Sequence, residues 1–91
     1  MYFRHFHINQ HKDTRVNGRS GTVAIETVGN NIRIGVAITN PKDNFNRKRG
    51  RQISQEKMEK NTYTKLEETP DFIQLYDIAQ EAFETEVNKL N

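Results

Sequence analysis

The residues of this chain best suited to chemistry form a run of cations around one glycine: Arg47, Lys48, Arg49, Gly50 and Arg51. Guanidinium groups bind phosphate oxygens through paired, charge-assisted hydrogen bonds, and a glycine lets a ligand approach the main chain closely. A glycine inside a helix costs about 1 kcal/mol relative to alanine, so its presence indicates a packing reason or a ligand reason. The run therefore predicts a surface that receives an anion, and phosphate is the anion that paired arginines suit best.

The helix that must carry these cations is predicted over residues 41–60, because Pro41 followed by Asp43 is typical of a helix start. On a helical wheel one face holds the set that could meet a ligand, Arg47, Gly50, Arg51 and Ser54. The opposite sector is predicted to pack on the sheet, through Phe45, Ile53 and the stem of Arg49. A solvated basic face, paired with the glutamates further along the helix, is the structural alternative.

A second group of candidate ligand residues lies in the glycine-containing, basic loop over residues 12–21, which supplies Arg15 and Arg19. Such loops can fold over an anion that is held elsewhere. If the loop and the helix faced each other, within one chain or across a subunit interface, they would form a charged cup. An ordinary flexible loop is the alternative interpretation.

The first strand supplies a third group, the rings of Phe3, His5 and His7. The spacing His-x-His places both imidazoles on one face of a strand, as in some metal sites. The chain has no cysteine and offers only Asp13 as a nearby acid, so we predict no metal site. We expect these rings to stack on a nucleotide base. No nucleophile has an obvious base beside it, so we predict a binding protein without catalytic residues or a cofactor.

Three strands are predicted over residues 2–8, 22–28 and 32–39. The last two should form a hairpin with Asn30 and Asn31 as its loop, which places Ile25 opposite Val36. This register collects the apolar side chains on one face, namely Val23, Ile25, Ile34, Val36 and Ile38. A slip of one residue would destroy that sorting.

A second helix is predicted over residues 70–90, with Thr69 as its N-cap and Pro70 as its first residue. Apolar residues cover more than half of its circumference, so we expect one side to face the sheet and another to face a second subunit. The elements together predict a single α+β domain over residues 1–91, with a three-stranded antiparallel sheet followed by two helices. Because so small a domain has a limited core, we expect a homo-oligomer.

Charge is divided unevenly along the chain, although the net charge is only +2. Residues 1–51 carry ten Lys and Arg against three Asp and Glu, a balance of +7, whereas residues 52–91 carry four against nine, a balance of −5. This division argues against an acidic mimic of DNA and indicates either a directed electrostatic surface or head-to-tail pairing between copies of the chain. No apolar run approaches the ~18 residues of a membrane span, and the start MYFRHFHI lacks a signal-peptide pattern. We therefore expect a cytoplasmic protein without membrane contact.

The segment VAITNPKDNFNRKRGRQIS resembles a pattern found in small phage-encoded proteins. In those proteins a Gly-Thr-Val-Ala strand, like Gly21–Ala24 here, precedes a helix with the motif Ser/Thr-x-Pro-Lys-Asp-x-Phe-x-Arg-Lys-x-Gly-Arg. Among them the chain is most similar to the type one Thoeris anti-defence family, whose members sequester cyclic nucleotide immune signals without cleaving them. The resemblance spans roughly half of the chain. It implies ligand contacts for the matching residues, Phe45, Arg47, Lys48, Gly50 and Arg51.

We expect, from the residues and this resemblance, a non-enzymatic phage-type anti-defence protein that acts in the host cytoplasm. It would bind and sequester a phosphorylated small molecule, a cyclic or ADP-ribose-type nucleotide. Arg47 and Arg51 would hold phosphate, with Phe45 packed beneath them. The alternatives are a small basic phage protein that binds nucleic acid and a protein-binding inhibitor of a host defence enzyme.

Overall fold

The structure of the protein, a computed structural model, describes residues 1–90 and has the predicted α+β class. Four strands form one antiparallel sheet in chain order: β1 Tyr2–Phe6, β2 Gly21–Val28, β3 Asn31–Ile38 and β4 Thr64–Lys65. Two helices complete the fold, α1 Arg47–Glu59 and α2 Phe72–Asn88. The prediction of three strands is wrong by one, because the segment expected to be a polar connection contributes β4.

The short strand β4 is held to the sheet by few interactions. It pairs with Asn31 and Ile32 only, and the Leu66 amide after it donates to the Asn30 carbonyl at 2.8 Å. The Asn30 side chain donates in turn to the Leu66 carbonyl at 2.8 Å. A two-residue exposed strand has no alternation that a sequence pattern could detect.

The hairpin of β2 and β3 has the predicted faces but a different register. Its loop is Gly29-Asn30, and Ile25 pairs with Ile34 rather than with Val36. Gly29 adopts a φ of +61°, which suits the first central position of a tight hairpin turn and places the turn one residue earlier than predicted. The register therefore shifts by two residues, and a shift of two leaves every side chain on its predicted face.

The two helices lie on opposite faces of the sheet. The pairing places Thr22, Ala24, Gly35 and Ala37 on one face, where α1 packs through its own small residues. The other face carries the larger apolar side chains and packs on α2, in a core of Phe6, Val23, Ile25, Ile32, Ala79, Phe83 and Val87. Phe6 and Phe83 stack with their ring centres 4.2 Å apart. Because both the sheet and the facing side of α1 carry small residues, the helix approaches the sheet closely.

Strand β1 ends at Phe6 and not at residue 8 as predicted, because the chain turns away from the sheet there. The Thr14 hydroxyl accepts a hydrogen bond from the His7 amide at 2.9 Å, and the Thr14 amide donates to the His7 carbonyl at 3.0 Å. Residues 7–14 thus form a small hairpin of their own, closed by the bridge between Ile8 and Asp13.

Helix α1 begins at Arg47, six residues later than the predicted start at Pro41. The Asn40 side chain accepts from the Lys42 amide at 3.0 Å, which stabilises a turn where the helix was expected. Asn46 then caps the helix, because its side chain accepts from the Arg49 amide at 3.0 Å. Phe45 is consequently outside the helix and is free to point in another direction.

Helix α2 begins at Phe72, with Asp71 and not Thr69 as its N-cap. The Asp71 carboxylate accepts from the Gln74 amide and the Gln74 side chain accepts from the Asp71 amide, so a complete capping box competes successfully with the upstream threonine. The helix ends at Asn88, two residues before the predicted end. Its outer side leaves Phe72 and Ile73 each 71% exposed. No helix within residues 1–90 combines the length and apolar character needed to cross a bilayer.

Candidate anion-binding site

The start of α1 lies beside the end of β1, where rings and guanidinium groups from distant parts of the chain meet. The Phe45 ring stacks on the His7 ring with centres 4.8 Å apart and planes 12° apart, and its edge meets His5 at 5.7 Å. A guanidinium nitrogen of Arg47, Nη2, lies 3.1 Å from His7 Nε2. We call this group the histidine–arginine cluster: His5, His7, Phe45, Arg47 and Arg51.

Local structure explains how each member of the cluster is positioned. His5 and His7 are two residues apart at the end of a strand, so their rings project to the same side. Asn46 ends the extended segment and starts the helix, which directs Phe45 towards the histidines and makes Arg47 the first helical residue. The hairpin of residues 7–14 holds His7 in place through its main chain.

Hydrogen bonds assign the tautomer of His7. A guanidinium group only donates, so His7 Nε2 accepts from Arg47. The other ring nitrogen, Nδ1, is then the donor to the Ile8 carbonyl, at 3.3 Å. Both nitrogens of His7 are therefore engaged, and its ring face serves as the surface on which Phe45 stacks.

His5 is held as a neutral ring. Its pKa is lowered from the ordinary 6.5 to about 4, first by burial and then by the positive charges of Arg47 and Arg51, with a smaller contribution from His7. His5 Nδ1 lies 2.8 Å from the Thr22 hydroxyl, which orients the ring. The contact of Thr22 with His5 was not predicted, since a threonine inside a strand gives no sequence signal for this role.

The free energy of unfolding should fall as the pH is lowered from 6.5 to about 4, because His5 binds a proton in the unfolded chain across that window and not in the folded chain. Asp13, whose pKa its hydrogen bonds to Arg15 lower to about 2, adds to this fall only towards the acid end of the window and below it. The same holds for Glu26, whose pKa the hydrogen bonds from Tyr63 and Arg33 lower from its ordinary 4.5. Melting temperatures measured across the window test this. His5→Gln should flatten the pH dependence between 4 and 6.5, and an unchanged slope would contradict the assignment.

The start of α1 concentrates positive charge where the helix dipole is already positive. Its first turn contains no acidic residue, and Arg47, Lys48, Arg49 and Arg51 are all exposed. The ion pairs within residues 1–90 are Arg15–Asp13, Arg33–Glu26 and Lys89–Glu86, so none neutralises this charge. Each cation in such a position destabilises a helix by roughly 0.3–1 kcal/mol, which a bound anion would relieve.

Two residues that the helical wheel placed on the ligand face lie against the sheet. A side chain at Gly50 would overlap the Thr22 hydroxyl, so close packing on the sheet accounts for this glycine. Ser54 is fully buried, and its hydroxyl donates to the Gly50 carbonyl at 2.7 Å. The wheel was wrong here because Gly50, Ser54 and Met58 pack best on the small residues of the sheet, which turns Arg49 and not Gly50 outwards.

The loop arginines do not join the cluster. Arg15 is held by the Asp13 carboxylate through two bonds of 2.8 and 2.9 Å. Arg19 lines a cleft of about 390 Å³ at the β3 edge of the sheet, with residues from the end of α2. Because β1 and β3 lie on opposite sides of β2, Arg19 and the cluster are at different edges. The structure thus does not form the predicted cup within one chain.

The remaining predicted residues lie close to the cluster or open to solvent. Phe3 is half-buried and shares a sheet face with His5. Lys48 is exposed on the first turn of α1. On the other flank of the helix start, a polar cleft of about 520 Å³ contains Arg49, Asn40, Asn44, Asn46 and Asp43. Asp43 bonds within the turn after Asn40, through its amide, and does not cap the helix.

No three His, Cys, Asp or Glu side chains within residues 1–90 converge in a way that could hold a metal ion. The chain matches no protein-family model, no curated protein and no solved structure with which it was compared, so its residues and geometry carry the functional argument.

Proposed function

We propose that the protein is a non-enzymatic phage-type anti-defence protein that binds and sequesters a phosphorylated small molecule, a cyclic or ADP-ribose-type nucleotide. The observation that carries the proposal is the unneutralised charge at the start of α1, directly beside stacked rings. Arg47 and Arg51 hold the phosphate through charge-assisted hydrogen bonds, aided by the helix start. Phe45, His5 and His7 supply the aromatic surface for the base, with Phe3 beside them on the strand.

Binding without turnover is supported by the state of the two histidines. General acid–base chemistry needs one ring that gives a proton and one that takes a proton near the working pH. Burial and neighbouring arginines keep His5 neutral, and both nitrogens of His7 are already hydrogen-bonded. The cluster is therefore suited to holding a phosphate ester rather than to cleaving one.

A thermal-shift screen against mono-, di- and cyclic nucleotides and ADP-ribose tests this function. A ligand at a hundred times its Kd stabilises the folded state by about 2.7 kcal/mol, which for a domain of this size raises Tm by roughly 10–20 °C. Chromatography of the ligand released by heating should return it intact. Failure of every nucleotide to raise Tm would refute the proposal. A cleaved product would show that the protein is an enzyme and not a binding protein.

A nucleic-acid binder is the second candidate, favoured by the balance of +7 over residues 1–51. It predicts an affinity for single- or double-stranded nucleic acid that falls steeply with salt, by about one power of the salt concentration per phosphate contacted. A discrete nucleotide site predicts a shallower salt dependence and strong selectivity among nucleotides. Titrations at several salt concentrations therefore separate the two functions.

The homo-oligomer stays a prediction, and it also belongs to this proposal. Phe72 and Ile73 are the exposed side chains of α2 that a second copy would cover. Sedimentation velocity of the wild-type protein measures this directly, and a monomer at all concentrations would contradict it.

A further inference from the structure

Among residues 1–90, no strand pairs with the outer edge of β3 along its second half. Strand β4 pairs with Asn31 and Ile32 only, and the side chain of Asn61 occupies the Ile34 carbonyl. The Thr39 amide donates to the carbonyl of Ser20, the residue before β2, so the odd-numbered residues of β3 direct their main-chain groups towards β2. Since successive residues of a strand point their main-chain groups in opposite directions, Val36 and Ile38 present an N–H and a C=O to the open side.

A groove runs along this open edge between the two helices, with a volume of about 630 Å³. Its floor on the α2 side is apolar, formed by Ile34, Val36, Ile78 and Ala82. It continues into a smaller cleft at each end, one of which shares Ile34 with it and the other Val36. We call it the β3 groove. A strand edge with an apolar floor is the surface to which extended peptides bind by adding a strand.

The walls of the β3 groove carry opposite charges. Lys57 and Lys60 stand on the α1 wall, whereas Glu81 and Glu86 stand on the α2 wall. Within residues 1–90 no ion pair joins the two walls, and Glu86 pairs only with Lys89 on its own helix. Both walls therefore remain available to the side chains of a bound strand, which alternate between the two faces of a sheet.

We infer that the β3 groove binds an extended strand of a partner protein whose alternate side chains are acidic towards α1 and apolar or basic towards α2. Its main chain pairs with Val36 and Ile38 and continues the sheet. Its acidic side chains meet Lys57 and Lys60. On the other face, aliphatic groups cover the apolar floor, and a Lys or Arg extends its stem over that floor towards Glu81 and Glu86.

Charge argues against a second copy of this chain in the groove. A symmetric pairing of β3 with β3 about an axis normal to the sheet places like helices side by side. The lysines of α1 would then face the same lysines, and the glutamates of α2 the same glutamates, which is unfavourable at both walls. A partner of different sequence has no such conflict.

The test uses a labelled peptide, Glu-Val-Glu-Lys-Glu-Val-Glu, and fluorescence anisotropy with the full chain. The control peptide, Glu-Glu-Val-Lys-Val-Glu-Glu, has the same composition without the alternation, and a third carries N-methyl groups on alternate residues. The alternating peptide should bind at least about tenfold more tightly than either control. Equal binding of the three peptides would overturn the inference.

Variants of the protein locate the binding. Lys57→Glu with Lys60→Glu should weaken the alternating peptide about tenfold, whereas Lys48→Glu, an exposed lysine of α1 outside the groove, should not. Equal losses in both variants would overturn the inference. So would a change in self-association on sedimentation of the groove variant, because it would assign the groove to a second copy. None of these measurements involves a nucleotide, so the inference and the proposed function can fail separately.

Discussion

Replacing both Arg47 and Arg51 by alanine is expected to abolish nucleotide binding while leaving the free protein nearly as stable as the wild type. Hydrogen bonds to charged groups contribute about 1.5–3 kcal/mol each, so losing two guanidinium contacts should weaken binding by roughly a hundredfold to ten-thousandfold. Both arginines are exposed and crowd the positive end of a helix, so their removal should change the free energy of unfolding by less than about 1 kcal/mol. Loss of binding without loss of fold would identify a functional surface.

Isothermal titration with the nucleotide that gives the largest thermal shift measures this loss. Arg19→Ala is the matched control, because this arginine also belonged to the predicted site but lies at the opposite edge of the sheet. Replacing Arg47 and Arg51 by lysine keeps the charges but removes the forked donors, and it should restore only part of the affinity. An unchanged affinity in the double alanine variant, or an equal loss in Arg19→Ala, would contradict the cluster as the binding site.

Gly35→Ala is expected to destabilise the protein strongly, although it adds only one methyl group. A Cβ atom at this position would overlap the Ser54 carbonyl oxygen and the Met58 amide nitrogen, and would lie 2.8 Å from the Met58 Cα. These are main-chain atoms of α1, so the whole helix must move away from β3. We expect a loss of about 3 kcal/mol or more, which lowers Tm by at least 10 °C or so.

Denaturant unfolding of Gly35→Ala measures this loss, with Gly18→Asn as its control. Gly18 adopts a φ of +76°, a Cβ atom there would have no neighbour within 4 Å, and asparagine tolerates such backbone angles. The control should remain within a few degrees of the wild-type Tm. A Gly35→Ala protein of wild-type stability would mean that α1 does not pack closely on the sheet. Because α1 also carries Arg47 and Arg51, the same substitution should weaken nucleotide binding.

The periodic spacing of apolar residues along the strands and the last helix predicted much of the fold. The apolar side chains of β2 and β3 lie on the predicted face although the register differs by two residues, because a strand has a period of two. The apolar stripe of α2 was also predicted, and Ala79, Phe83 and Val87 are its buried members. The helix starts were less predictable, since Asn46 caps α1 well after the predicted start at Pro41, and Asp71 rather than Thr69 caps α2.

The sequence by itself determined which chemical groups the protein has to offer: a cluster of cations at a helix start, two histidines at strand spacing and a hairpin with one apolar face. Only the tertiary structure decided which of them meet. Phe45 and Arg47 reach His7 because Gly50 and Ser54 turn inwards onto Thr22 and Gly35. Local periodicity reports the faces of one element, whereas the choice of the face that is buried depends on how two surfaces fit, and that fit involves residues far apart in the chain.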